Sequence, residues 1–271
     1  MRYILQFILG VALIFVAYAL PENLHEFKPE LVSTGCAVIL TLIIFDGGYF
    51  LYENKEQLRL WAQIYKPFQR RELRISIAYL MRIEVDGKYL LIKNDRGQNG
   101  FQPVGGVYKY FYPEGYMELQ QIGVFTDNCI DIDEHSRHDL RCTLDDRKKL
   151  SKFLKWFDSG KQREKDPWRE FYEELIRSRI LPEENFKYFQ YEKVGCVTGP
   201  IAYSDHFKVN EFLYADIYRP KFSNEKIEDI KKLFATGHSQ ILFATRDEIL
   251  QGNAGSEKIL PHTIKIFNCK L

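Results

Sequence analysis

No zinc-ribbon or Cys-x-x-Cys spacing occurs among the five cysteines, Cys36, Cys129, Cys142, Cys196 and Cys269. That excludes a cysteine-rich metal centre, and their odd number speaks against a closed disulfide framework. Reduced structural thiols and a cytosolic setting for the bulk of the chain are expected. Nor does one sign of charge dominate, since 38 Lys and Arg stand against 37 Asp and Glu. A nucleic-acid-coating surface is not indicated, and no DNA or RNA duplex is expected as a partner. Phosphate loop, Ser-His-Asp pattern, internal repeat and low-complexity stretch are all missing. The tail Cys269-Lys270-Leu271 is not a prenylation motif. What is there is 271 residues, enough for one ordinary domain plus appendages.

The appendage is at the start. Tyr3–Leu20 is apolar except for Gln6, and Leu31–Leu51 is apolar or small except for Asp46. Each is close to the ~20 residues that cross a bilayer as helix. The connector carries Glu22, Glu26 and Glu30 against Lys28, while Lys55, Arg59, Lys66, Arg70 and Arg71 follow the second run. The positive-inside bias then predicts a two-helix transmembrane hairpin within residues 1–52, with spans at about 3–20 and 31–51 and both termini cytoplasmic. Two other readings compete. Ala17-Tyr18-Ala19 has the form of a signal-peptidase site, which would make the first run a cleaved signal. Alternatively, both runs are buried core helices. Asp46 is expensive if it faces lipid, so it is expected at headgroup depth or lining a contact between copies. Residues 53–73 read as a polar juxtamembrane helix with Leu58, Trp61 and Tyr65 on one stripe.

The most informative stretch is Lys165–Leu181. Asp166 is a good N-cap and Pro167 a good first helical residue, so a helix is expected to start there and to stop before Pro182. Trp168, Phe171, Tyr172, Leu175 and Ile176 share an apolar face, and Glu170, Glu173 and Glu174 share another. Like charges so spaced cost a few tenths of a kcal/mol per pair. A bound Mg²⁺ would reverse that sign; a merely solvated acidic face is the alternative. Elsewhere, Ile75–Lys93 reads as two strands about an Asp86-Gly87 turn. Val107–Tyr112 reads as a strand followed by a Pro113-Glu114-Gly115 turn, and Asp145–Phe157 as a helix. A metal site at His135 and His138 is the lesser reading of a charged loop. Phe186–Val194, Asn210–Tyr218 and Ile241–Ala244 read as strands, Glu225–Ala235 as a helix, and Thr245 with Glu248 as a capping box.

Arg169-Glu170-Phe171-Tyr172-Glu173-Glu174 resembles the core of the Nudix box, and Phe101-Gln102-Pro103-Val104-Gly105-Gly106 resembles the turn that opens it. The resemblance spans about Arg74 to Phe267. It implies an α/β (α+β) domain over 74–271, a Nudix-like α/β/α sandwich with a mixed sheet. The departures are large. Arg169 follows Gly106 by 63 positions, where the family has about fourteen, so a long insertion is expected at about 107–165. The early box glutamate is Tyr112, and the glycine after the glutamate pair is Ile176.

Two spans before such a domain resemble the membrane Nudix effectors of bacterial anti-phage systems built on cyclic-oligonucleotide signalling (CBASS). That resemblance implies an inner-membrane protein. A partner nucleotidyltransferase would make a cyclic di- or trinucleotide, the domain would bind it, and assembled copies would disrupt the lipid bilayer. Arg141, Arg169, Gly105 and Gly106 are the expected nucleotide contacts, since guanidinium forks match phosphate oxygens. Arg169 is equally expected to pair with its own helix glutamates. Tyr108, Tyr110, Phe111 and Tyr112 are expected either to stack on a base or to form strand core. The rival reading is a membrane-anchored hydrolase of nucleoside-diphosphate-linked substrates, with Glu170, Glu173 and Glu174 on Mg²⁺ and Glu173 as the catalytic carboxylate. A scaffold that only mediates protein contacts is the third.

Overall fold

A computed structural model describes residues 2–66, 72–94, 99–127, 129, 133–134 and 136–267, with backbone alone for 2–7, 22–23, 42–43 and 45–46. The chain divides into two compact units, Met1–Tyr65 and Lys66–Leu271.

In the first unit, α1 (Arg2–Ala19), a 3₁₀ turn (Glu22–Phe27) and α2 (Lys28–Glu53) form a helical hairpin, and α3 (Lys55–Ile64) follows after Asn54. The hairpin closes backbone to backbone where Gly10 meets Gly35. A Cβ on Gly35 would lie 2.7 Å from the Gly10 carbonyl oxygen, so only glycine permits this approach. Phe15, Leu40, Ile44, Tyr49 and Phe50 are exposed on its exterior. The segments expected as spans are thus helical. Among the described residues, no helix is long and apolar enough to cross a membrane. Asp46 lies in α2, with its side chain outside the described set. On α3 the stripe Leu58, Trp61, Tyr65 is exposed, with the Trp61 and Tyr65 rings 4.5 Å apart.

The second unit begins with β1 (Leu73–Met81), β2 (Glu84–Val85), β3 (Lys88–Lys93), β4 (Phe101–Pro103) and β5 (Gly105–Val107). The insertion supplies α4 (Glu114–Ile122), β6 (Val124–Thr126), β7 (Arg141–Leu144) and α5 (Leu150–Ser159). Then come α6 (Trp168–Phe171), α7 (Glu183–Phe186), β8 (Gln190–Thr198), β9 (Ala202–Ser204), β10 (Val209–Lys221) and α8 (Asn224–Thr236). The chain ends in β11 (Ile241–Thr245), α9 (Arg246–Gln251), β12 (Asn253–Ala254), β13 (Glu257–Lys258) and a 3₁₀ turn (Pro261–Ile266).

The larger sheet runs β6-β7-β1-β10-β8, with β1 and β10 parallel and the other pairs antiparallel; β5 also pairs with β1. The smaller sheet is β11-β3-β2 with β4 on β3. Leu90 and Ile92 of β3 pack toward Phe171, Leu175 and Ile230, whereas Leu91 packs on the other face toward Ile217, Ala244 and Ile249. Helical segments therefore cover both faces of the smaller, antiparallel sheet, and together with the mixed larger sheet this α/β arrangement fits a Nudix-like domain.

Four local expectations change. Val107–Tyr112 is not a continuous strand, since β5 ends at Val107 and Lys109 and Tyr110 form only isolated bridges, to Asp139 and Arg163. The Asp86-Gly87 turn is present, with φ of 49° and 74°, but it joins β2 to β3. β1 cannot pair with β3, because β10 holds one of its edges and β5 and β7 share the other. The Pro113-Glu114-Gly115 turn is instead the start of α4. Gly115 is buried, and a Cβ there would sit 2.5 Å from the Gln162 carbonyl oxygen, so the glycine serves close packing. The glutamate helix starts one residue later than expected, at Trp168 with Pro167 at its N-cap, and Asp166 still accepts from Trp168 N–H at 2.8 Å. It then widens into a π turn over Tyr172–Ile176, with Arg177 N–H donating to Tyr172 O at 2.7 Å. Arg179 at φ 61° closes it before Pro182 is reached.

The capping box forms, with the Thr245 side chain accepting from Glu248 N–H and the Glu248 carboxylate from Thr245 N–H. Thr245→Ala is expected to cost about 1 kcal/mol, read as a lower urea midpoint at unchanged slope.

Candidate ligand-binding cleft

The insertion leaves and re-enters the sheet at one point. Tyr108 N–H donates to Ile77 O at 3.0 Å and Ile77 N–H donates to Leu140 O at 3.1 Å, so both stalks meet on the edge of β1. Arg141 follows Leu140 directly and pairs with Ser76. Opposed residues on neighbouring strands point to the same side, so Arg141 shares a face with Ser76, Ala78 and Leu80. The parallel register adds Leu213 and Ala215 of β10 to that face. A cleft of about 250 Å³ opens over it. Ser76, Ala78 and Ala215 floor it together with Leu80 and Leu213; Gln102, Gly105 and Arg141 stand at its sides, and His262 and Lys265 face it from the C-terminal 3₁₀ turn. With three residues per turn, positions 262 and 265 eclipse, while Thr263 and Ile266 are buried.

His262 and Lys265 are half-buried, and neither side chain makes a hydrogen bond or ion pair among the described residues. Burial lowers the pKa of each, helped at His262 by Lys265 and opposed at Lys265 by Glu211. An uncompensated cation in such a place wants an anion. Neither residue stands in the sequence as a motif. Only the eclipsed spacing after Pro261 could have marked them.

The glutamates lie elsewhere. Gly106 opposes Tyr79, on the reverse face of β1, and a Cβ there would overlap the Glu170 carboxylate. Gly105 N–H donates to Glu174 Oε2 at 3.0 Å, and a Cβ on Gly105, at φ 154°, would overlap the Tyr79 carbonyl. The two glycines thus permit close approach of strand and helix. Arg169 is fully engaged, donating to Glu164 (Nε–Oε1 2.9 Å), Glu170 (2.6 Å), Glu173 (3.4 Å) and the Val107 carbonyl (2.9 Å). Those carboxylates push its pKa up against burial. Of the two expectations for Arg169, the geometry matches internal pairing.

Among the described residues, no three His, Cys, Asp or Glu side chains converge as a metal site requires. As arranged, Glu170 and Glu173 are held by the Arg169 guanidinium and Glu174 by Gly105 N–H. His135 lies outside the described residues, and His138 stacks on Tyr112 at 5.4 Å.

A second cavity, of about 110 Å³, lies within the insertion and shares Arg141 with the first. Tyr110, Tyr116, Leu119 and Val124 line it, with Asp139 among the polar groups. Of the insertion aromatics, Tyr108 is core, its hydroxyl donating to Asp216 Oδ2 at 2.8 Å, while Phe111 and Tyr112 are exposed. Asp139 is pushed up to about 6 by burial, against the pull of Arg141 (3.7 Å) and Lys109 (3.6 Å). A carboxylate raised by folding stabilises the fold at low pH, and that contribution is lost as pH rises through about 6. Asp139→Asn is therefore expected to raise the melting temperature relative to wild type at pH 7.5, with the gap closing at pH 4.

Residues 72–267 match the family described as SMODS-associated NUDIX domain. The chain belongs to that family. No curated protein and no solved structure matches it. The SMODS-associated NUDIX domain thus occupies nearly all of the second unit, insertion included. Its membership supports a place among CBASS-type anti-phage effectors.

Proposed function

We propose that this chain is a membrane effector whose Nudix domain binds a cyclic nucleotide, made by a partner nucleotidyltransferase, without hydrolysing it. The observation that carries the reading is the cleft. Arg141, His262 and Lys265 line a cleft floored by Ser76, Ala78, Ala215 and two leucines, a surface suited to phosphate and a flat base. β5 separates this cleft from the carboxylates, so binding there needs no metal bridge. A ligand that favours one arrangement of the domains, or their assembly into an oligomer, shifts the population by its differential affinity. The exposed apolar exterior of the α1–α2 hairpin supports a bilayer as its surroundings, with both termini on the cytoplasmic side of the inner membrane. Asp46 would then line a hydrated path between assembled copies. The rival Mg²⁺-dependent hydrolysis rests on the retained Glu170, Glu173 and Glu174, and it requires Arg169 to leave them.

The full chain reconstituted in phosphatidylethanolamine–phosphatidylglycerol vesicles should release a trapped dye when its cyclic nucleotide is added. Deleting residues 1–52 should abolish release and leave nucleotide binding intact. Release by the truncated protein would overturn the membrane role. Mg²⁺-dependent breakdown of a linear dinucleotide, lost in Glu173→Gln, would favour the hydrolase.

A further inference from the structure

We infer that the cavity inside the insertion seats one base of the ligand, and that Asp139 selects guanine there. The inference rests on the reading that the domain takes a cyclic nucleotide. At about 110 Å³ the cavity is below the roughly 150 Å³ that encloses a benzene ring, so through its open mouth it takes the edge of a base and not a whole nucleotide. Tyr110 and Tyr116 give it flat aromatic walls, their centroids 6.2 Å apart and their planes 28° from parallel. Stacking on such walls tolerates any base.

Discrimination needs a polar group, and Asp139 is placed to supply it. Its carboxylate is 9% exposed and held between Lys109 and Arg141. Ionised, it only accepts hydrogen bonds. Guanine presents two adjacent donors, N1–H and the 2-amino group, that match two carboxylate oxygens. Adenine sets an acceptor beside its amine, cytosine does the same, and uracil flanks its one donor with acceptors. Arg141 borders both cavities, so a phosphate on its guanidinium would have this base on one side and the rest of the ligand in the larger cleft.

The test is titration of the full-length protein in detergent with cyclic di-GMP, cyclic GMP–AMP, cyclic di-AMP and cyclic di-UMP. Wild type is expected to bind a guanine-bearing member at least tenfold more tightly than cyclic di-AMP or cyclic di-UMP. Asp139→Asn, which keeps size and removes the paired acceptors, is expected to erase that ratio. Tyr116→Ala is expected to weaken guanine-bearing and guanine-free members alike, leaving their ratio unchanged. Wild-type binding without base preference, or an Asp139→Asn variant that retains it, overturns the inference and leaves the proposed function standing. No binding of any member also overturns the inference, and only failure of the cyclic trinucleotides as well overturns the proposed function.

Discussion

Lys265→Ala is expected to weaken cyclic-nucleotide binding by about tenfold to a hundredfold and to leave the fold as stable as before, or more so. A hydrogen bond to a charged group contributes about 1.5–3 kcal/mol, and each 1.4 kcal/mol is a factor of ten in affinity. Without ligand, Lys265 is a half-buried ammonium whose pKa burial pulls down, so the free protein loses nothing when it is removed. Lys265→Arg should retain most of the affinity. Calorimetry for binding and thermal melts for stability separate the two effects. A variant that binds as well as wild type would take the cleft out of the account.

Arg169→Ala should do the reverse. It leaves Glu164, Glu170 and Glu173 without their common cation, all three partly or largely screened from solvent. Breaking such a network by removing one partner costs about 3–5 kcal/mol. Glu164 belongs to the insertion and Glu170 to α6, so the loss falls on the joint between them. Urea denaturation should show a large drop in midpoint, while the folded fraction of the variant keeps nucleotide affinity within a few-fold of wild type. A hundredfold loss of affinity in folded protein would make Arg169 a phosphate contact instead.

The sequence announced the parts of this molecule that obey local rules. The Asp86-Gly87 turn, the Thr245–Glu248 capping box, the Asp166 bond to Trp168 N–H and the buried face Phe171, Leu175, Ile176 all follow from residue chemistry within one or two turns. What it withheld depends on tertiary neighbours. β1 reads as half of a hairpin, yet its two buried faces place it at the centre of the larger sheet, with both edges taken. Gly115 reads as a turn residue because the carbonyl it must clear, that of Gln162, lies far along the chain. The π turn has no periodicity to betray it.

The candidate site divides in the same way. Arg141 was named through the family resemblance, as a guanidinium suited to phosphate, and it lines both cavities. Arg169, Gly105 and Gly106 were named from the box; the structure places all three where helix meets strand, and the two glycines also line the larger cleft. His262 and Lys265 went unnamed, because only the fold carries a C-terminal turn across to β1 and β10.

The measurement that bears most directly on a binding domain that does not hydrolyse is calorimetry of the full-length protein against cyclic di- and trinucleotides. It is run with Mg²⁺ and again with a chelator, and the nucleotides are then recovered and analysed. Tight binding of one member, unchanged by chelation and with the ligand recovered whole, is the predicted result. Binding that vanishes with the chelator, or recovery of cleaved nucleotide, would contradict it and return Glu170, Glu173 and Glu174 to the centre of the mechanism.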